Sequence, residues 1–183
     1  MFERLSQRAL RVLFFARYEA SQFGSMSIDT EHLLLGLIRE PKGLTSRLFA
    51  DAGILLDDIR GEVLRRVPAR SRTSTSADIP FSAAARRVLQ QAAEEADRLL
   101  HIGVGTEHLL LGLLREHGSV AAAVLTSRGL RLDWVRADRR DPERWRAARA
   151  PWTTKHSRQL VGQFESLRGS NIPAAGLPPK EMM

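Results

Sequence analysis

Thr30-Glu31-His32-Leu33-Leu34-Leu35-Gly36-Leu37 returns letter for letter as Thr106-Glu107-His108-Leu109-Leu110-Leu111-Gly112-Leu113. The offset is 76 residues, and it holds without a gap on both sides. Upstream, Ser6, Ala9, Val12, Leu13, Ala16, Glu19 and Ala20 meet Ser82, Ala85, Val88, Leu89, Ala92, Glu95 and Ala96. Downstream, Arg39-Glu40 meet Arg115-Glu116, while Gly53, Leu56 and Asp57 meet Gly129, Leu132 and Asp133. A gapless match of this length marks two copies of one folding unit.

Each copy reads as helices. Ala9, Val12, Leu13, Ala16 and Ala20 recur at three- and four-residue steps, which predicts a one-faced apolar stripe. Ser6 and Ser82 stand where N-caps are expected. A second helix starts at Thr30 or Thr106, another N-cap type, with Glu31 or Glu107 in the first turn to complement the dipole. Gly36 and Gly112 predict a close helix crossing, at a propensity cost of roughly 1 kcal/mol against alanine. Pro41-Lys42-Gly43 and His117-Gly118-Ser119 are turns, and Leu44, Leu48 and Phe49, like Val120, Val124 and Leu125, begin a third helix. Gly53 and Gly129 are natural C-cap residues, each followed by a short fourth helix near Leu56-Asp57 or Leu132-Asp133. The alternation of β-branched residues expected of strands is missing, so the chain reads as all-α.

These patterns place the first repeat at 1–67, a polar Ser/Thr-rich linker at 68–78 and the second repeat at 79–136, with 1–136 forming one domain. Residues 137–183 form a basic extension. Asp141-Pro142-Glu143 looks like an N-cap with proline at the first helical position, opening a helix with Arg139, Arg140, Arg144, Arg146 and Arg149 in or beside it. Leu160, Val161, Phe164 and Leu167 predict one more amphipathic helix, and the proline-bearing stretch from Ile172 is expected to be disordered.

The composition, 43% hydrophobic and 27% charged, is that of a soluble globular chain. No apolar run approaches a bilayer span, and Met-Phe-Glu-Arg-Leu does not resemble a secretory signal. Cysteine is absent, which excludes disulfides and thiolate chemistry and fits an expected cytoplasmic location. The net charge of +7 favours acidic or phosphorylated partners, and +4 of it lies in residues 137–183. Arg60, Arg65, Arg66, Arg70 and Arg72 form a basic run read as solvated linker.

Met1-Phe2-Glu3-Arg4, the two Thr-Glu-His-Leu-Leu-Leu-Gly-Leu copies and Ile79-Pro80-Phe81-Ser82 resemble the Clp N-terminal domain of ClpC-type unfoldases, especially actinobacterial ones, over about residues 1–136. The resemblance implies two four-helix repeats in a pseudo-two-fold arrangement. In that family the domain precedes two ATPase modules and receives substrates and adaptors for a partner protease. Here no Gly-x-x-x-x-Gly-Lys-Ser/Thr loop occurs in the sequence, so a stand-alone, non-enzymatic binding module without cofactor is expected. Family domains can bind phosphorylated arginine, one site per repeat. By resemblance, Glu31 and Glu107 would hold the guanidinium, and the phosphate would lie near Thr30 or Thr106 and Ser6 or Ser82. Asp29 stands where the family has glycine, as at Gly105, and its charge would repel phosphate in the first copy. A second family surface, for adaptors or cyclic peptides, would include Phe2, Phe81 and Arg86.

Each residue also has a plainer reading. Glu31 and Glu107 suit a helix dipole. His32 and His108 lack H-E-x-x-H spacing and read as packed or capping histidines rather than metal ligands. Ser6 and Ser82 have no implied base, so they are caps rather than nucleophiles. Phe2 and Phe81 fit half-buried staples as well as binding anchors. The leading function is therefore an accessory, adaptor or decoy in Clp proteolysis, with Clp machinery, adaptors, marked substrates or cyclic peptides as partners. The alternative is a nucleic-acid-associated regulator using the basic tail. An enzyme has least support, since no nucleophile–base or metal constellation emerges.

Overall fold

The computed structural model describes residues 2–41, 44–68, 71 and 79–137, with the Phe2 side chain excepted. A 3-10 turn at Phe2–Arg4 precedes α1 (Gln7–Gln22), α2 (Thr30–Arg39), α3 (Leu44–Asp51) and α4 (Leu56–Arg66). The second copy supplies α5 (Ala83–Arg98), α6 (Thr106–Arg115), α7 (Val120–Ser127) and α8 (Leu132–Arg136). Every predicted helix of the two repeats is present, and β-structure among the described residues is limited to two isolated bridges. The expected linker at 68–78 lies mostly, and the helices and disordered stretch expected within 138–183 lie entirely, outside the described residues.

Local chemistry explains the boundaries. The Ser6 hydroxyl accepts from the Ala9 amide at 3.2 Å, and Ser82 from Ala85 at 3.0 Å, so both serines cap as read. Gly53 (φ +66°) and Gly129 (φ +82°) take the left-handed conformation that follows a helix end. One expectation shifts by a residue. The caps of α2 and α6 are Asp29 and Gly105, while Thr30 and Thr106 are the first helical residues and are buried. The α1–α2 and α5–α6 crossings are close because Gly36 and Gly112 have no side chain. A Cβ on Gly36 would lie 2.4 Å from the Val12 carbonyl oxygen, and one on Gly112 the same distance from that of Val88.

The basic run is corrected in part. Arg60 belongs to α4 and its guanidinium donates to both oxygens of Glu19, each at 3.1 Å, while Arg39 adds a contact of 2.8 Å. Glu19 is inaccessible to solvent, and a buried carboxylate needs such partners. The second copy repeats this: Glu95 is bound by Arg115 at 3.1 Å and by Arg136 at 2.8 and 2.5 Å. Arg65 and Arg66 both pair with Glu62 on α4 rather than trailing into a linker. Arg70 and Arg72 lie outside the described residues.

The copies are joined by exchange. Leu5 forms a parallel bridge with Val104, and Phe81 forms the matching one with Ile28. The Ser6 amide donates to the Val104 carbonyl at 3.0 Å and the Ser82 amide to that of Ile28 at 3.0 Å. Each first helix therefore begins against the loop that leads into the other copy's second helix. The third helices cross as well: α3 packs on α6, and α7 on α2 and α4. This reciprocity is the pseudo-two-fold relation, and the residues it buries form one continuous hydrophobic core.

Candidate functional site

The exchange decides which residues meet. Ser6 does not face Thr30 of its own copy. It opens onto Gly105, Thr106 and Glu107, and these residues with Gln7, Arg8, Arg11, Leu44, His101 and Gly103 line a cavity of about 800 Å³. By the same exchange, Ser82 starts beside the Ile28-Asp29 entry to α2. Of the sequence-level candidates, Ser6, Thr106 and Glu107 thus come together. Ser82 belongs with the Thr30-Glu31 end, separate from them.

Arg8 and Arg11 were missed by sequence reading. Arg11 is held by a two-pronged contact to Glu40 at 2.8 and 3.0 Å. Arg8 is exposed in the cavity wall and has no ion-pair partner among the described residues. Its counterpart 76 positions on is Ala84. The signal available was that cationic mismatch, beside a matched apolar stripe. The Thr106 hydroxyl donates toward the Glu107 carboxylate at 3.5 Å, as Thr30 does toward Glu31 at 3.3 Å. Both threonines are nearly inaccessible, so their hydroxyls mainly position the neighbouring glutamate.

The two helix starts differ at one residue. The Asp29 carboxylate accepts from the Thr30 amide at 2.7 Å, so the chain's own anion occupies the positive end of α2. Gly105 has no side chain, so no N-cap side chain accepts from the α6 amides. The Glu107 carboxylate instead folds toward Gly105, with both oxygens 2.5 Å from where a Cβ would stand. Burial raises the Glu31 carboxyl above its ordinary value, and Asp29 pushes it further the same way. In the first copy, therefore, a carboxylate already takes the amide at the start of the helix.

The histidines cap. His32 Nδ1 accepts from the Asp29 amide at 3.0 Å, and His108 Nδ1 from the Gly105 amide at 2.8 Å. Burial pushes His32 down to about 4 and holds His108 below its ordinary value. With Nδ1 accepting, the proton of neutral His108 sits on Nε2 and points to His101 Nδ1 at 2.9 Å. His101, Glu107 and His108 place possible ligand atoms within 4.8 Å of one another. Ligation through His108 Nε2 would move its proton to Nδ1, facing the Gly105 N–H. His101 and His108 are accordingly a hydrogen-bonded support for the α6 entrance, and the capping reading of the helix-start histidines holds.

At the other proposed surface, Phe81 is half-buried and packs against the core, and Arg86 donates to the Phe81 carbonyl at 2.8 Å. The Phe2 side chain lies outside the described residues, as do Arg139, Arg140, Arg144, Arg146 and Arg149.

Residues 4–137 match the Clp repeat (R) N-terminal domain. The chain is 43% identical over 136 residues to an ATP-dependent Clp protease ATP-binding subunit ClpA homolog of Guillardia theta, a match covering 74% of this chain and 16% of that protein. It is 44% identical over 129 residues to the chloroplastic chaperone protein ClpC2 of Oryza sativa subsp. japonica, covering 70% of this chain and 14% of the relative. Among solved structures, the N-terminal domain of the chaperone ClpD from Arabidopsis thaliana aligns with a TM-score of 0.60 and 29% identity, over 75% of this chain and 92% of that one. The matched region thus spans about one-sixth or less of the length of these curated relatives.

Proposed function

The chain belongs to the Clp repeat N-terminal domain family, and from that premise we propose that it is a non-catalytic recognition module for protein segments carrying phosphorylated arginine. The observation that carries this reading is the α6 entrance, where no N-cap side chain accepts from the helix amides, beside Glu107 in a cavity that also holds Ser6 and Arg8, a cation without an ion-pair partner among the described residues. A phosphorylated guanidinium needs a carboxylate on one side and anion donors on the other. Glu107 supplies the first through paired charge-assisted hydrogen bonds. The amides at the start of α6, the Ser6 hydroxyl proton and Arg8 supply the second. Asp29 makes the Ser82–Thr30–Glu31 site the weaker of the two.

The 183 residues include no Gly-x-x-x-x-Gly-Lys-Ser/Thr loop, so what they offer is capture rather than ATP-driven unfolding. Capture of this kind suits an accessory, adaptor or decoy in Clp proteolysis, with marked substrates or adaptors as partners. Phe81 and Arg86, with Phe2, remain the proposed surface for adaptors or cyclic peptides. Titration calorimetry with phosphoarginine tests the main reading: binding should be lost in Glu107→Ala and weakened in Arg8→Ala. Heat that is unchanged by both substitutions would refute it.

A further inference from the structure

A second cavity, of about 540 Å³, adjoins the first and shares Leu44, His101 and Glu107 with it. Its remaining walls are mainly apolar, from Leu48, Leu99, Leu100, Leu111 and Val135. Of its charged members, Arg136 is already bound to Glu95, and Glu107 stands at the boundary with the polar cavity. The groove therefore sets apolar side chains beside a polar edge at His101, Glu107 and Arg136.

Leu100 is the unusual wall. It holds φ +56°, a left-handed conformation that a leucine rarely adopts, and its side chain is 91% exposed. The corresponding residue of the first copy is Gly24, at φ +63°. The backbone thus demands the same turn in both copies, but only the second puts a large apolar side chain on it. That side chain gains no core burial in return. Strain kept at one copy of a repeat, on the rim of a cavity, points to use in recognition.

We infer that this groove is a subsite for a leucine-, methionine- or phenylalanine-like side chain flanking the arginine held at Glu107, so that the module selects modified arginine in apolar sequence context. The inference rests on the phosphoarginine reading of the adjoining cavity. Successive Cα atoms of an extended peptide are about 3.8 Å apart, so a flanking residue reaches a groove that shares a wall with the first cavity. Burying one such side chain should tighten binding about tenfold or more.

The test is calorimetry on the full chain with three probes: free phosphoarginine, a Gly-Gly-phosphoarginine-Gly-Gly peptide and a Gly-Leu-phosphoarginine-Leu-Gly peptide. The leucine peptide should bind about tenfold tighter than the glycine peptide. Leu100→Gly, which suits the local backbone, should erase that difference and leave free phosphoarginine unaffected. Equal affinity of the two peptides, or a gain that survives Leu100→Gly, would overturn the subsite while leaving the phosphoarginine reading intact. Failure of all three probes to bind would overturn both. If the unphosphorylated Gly-Leu-Arg-Leu-Gly peptide, titrated as a control, binds as tightly as its phosphorylated form, the groove takes plain apolar segments and the inference is also overturned.

Discussion

Asp29 accepts a hydrogen bond of 2.7 Å from the Thr30 amide at the position where the second repeat has Gly105. One carboxylate thus takes the first amide of α2, whereas Gly105 offers α6 no such side chain. Replacing Asp29 with glycine should cost only about 0.3 kcal/mol of stability, because glycine is a tolerable N-cap. It should also create a second phosphoarginine site, so that calorimetric stoichiometry rises from one toward two. The new site should be the weaker, since Ala84 and Ser25 stand where the stronger one has Arg8 and His101. An unchanged stoichiometry would mean that Asp29 is not what closes the first site.

Gly112→Ala sets two effects against each other. Alanine gains about 1 kcal/mol of helix propensity. Its Cβ, however, would lie 2.4 Å from the Val88 carbonyl oxygen, a backbone atom that cannot turn aside. Separating α5 from α6 should cost up to about 3 kcal/mol. The net expectation is a destabilisation of about 2 kcal/mol in chemical denaturation, and Gly36→Ala should behave alike.

Glu95 binds together α5, α6 and α8. Burial pushes its carboxyl upward, but Arg136 and then Arg115 and Arg98 outweigh burial and hold it below the ordinary 4.5. Its contribution is therefore fully present above that value and is lost as pH falls below it. Glu95→Ala leaves Arg115 and Arg136 facing one another without their shared anion. A loss of about 3 kcal/mol is expected at neutral pH, measured by urea denaturation.

His32 gives stability a slope in a milder range. Its folded-state value of about 4 lies below the ordinary 6.5, so the unfolded chain binds the proton more readily. Stability should fall as pH drops below about 6.5, by about 2 kcal/mol on reaching pH 5. His32→Gln should flatten that dependence over the same window. A wild-type curve with no slope between pH 7 and 5 would contradict the buried neutral imidazole.

Much of the fold was legible because both copies write the same pattern. Ser6 and Ser82 announce their helices by residue type, and Gly36 and Gly112 announce close crossings. Periodicity, however, says what each copy contains and not which parts of two copies meet. The bridge of Leu5 to Val104 is a tertiary fact, and with it went the pairing of Ser6 with Glu107 instead of Glu31. Glu19 and Glu95 were visible only as matched letters, since a charge inside an apolar stripe declares no partner. Arg60 was read as part of a charge run for the same reason. The caps were read one residue late because threonine is itself a good cap type, and only backbone geometry separates it from Asp29 or Gly105. Leu100 gave no local signal, because its positive φ is imposed by a turn that the first copy makes with Gly24.

We propose that the Glu107 cavity holds a phosphorylated arginine. Calorimetric titration of the full chain with phosphoarginine, wild type against Glu107→Ala, tests it most directly. Saturable binding near one site per chain is expected, abolished by the substitution, with arginine itself binding far more weakly. Equal binding by wild type and Glu107→Ala, or none by the wild type, would contradict it.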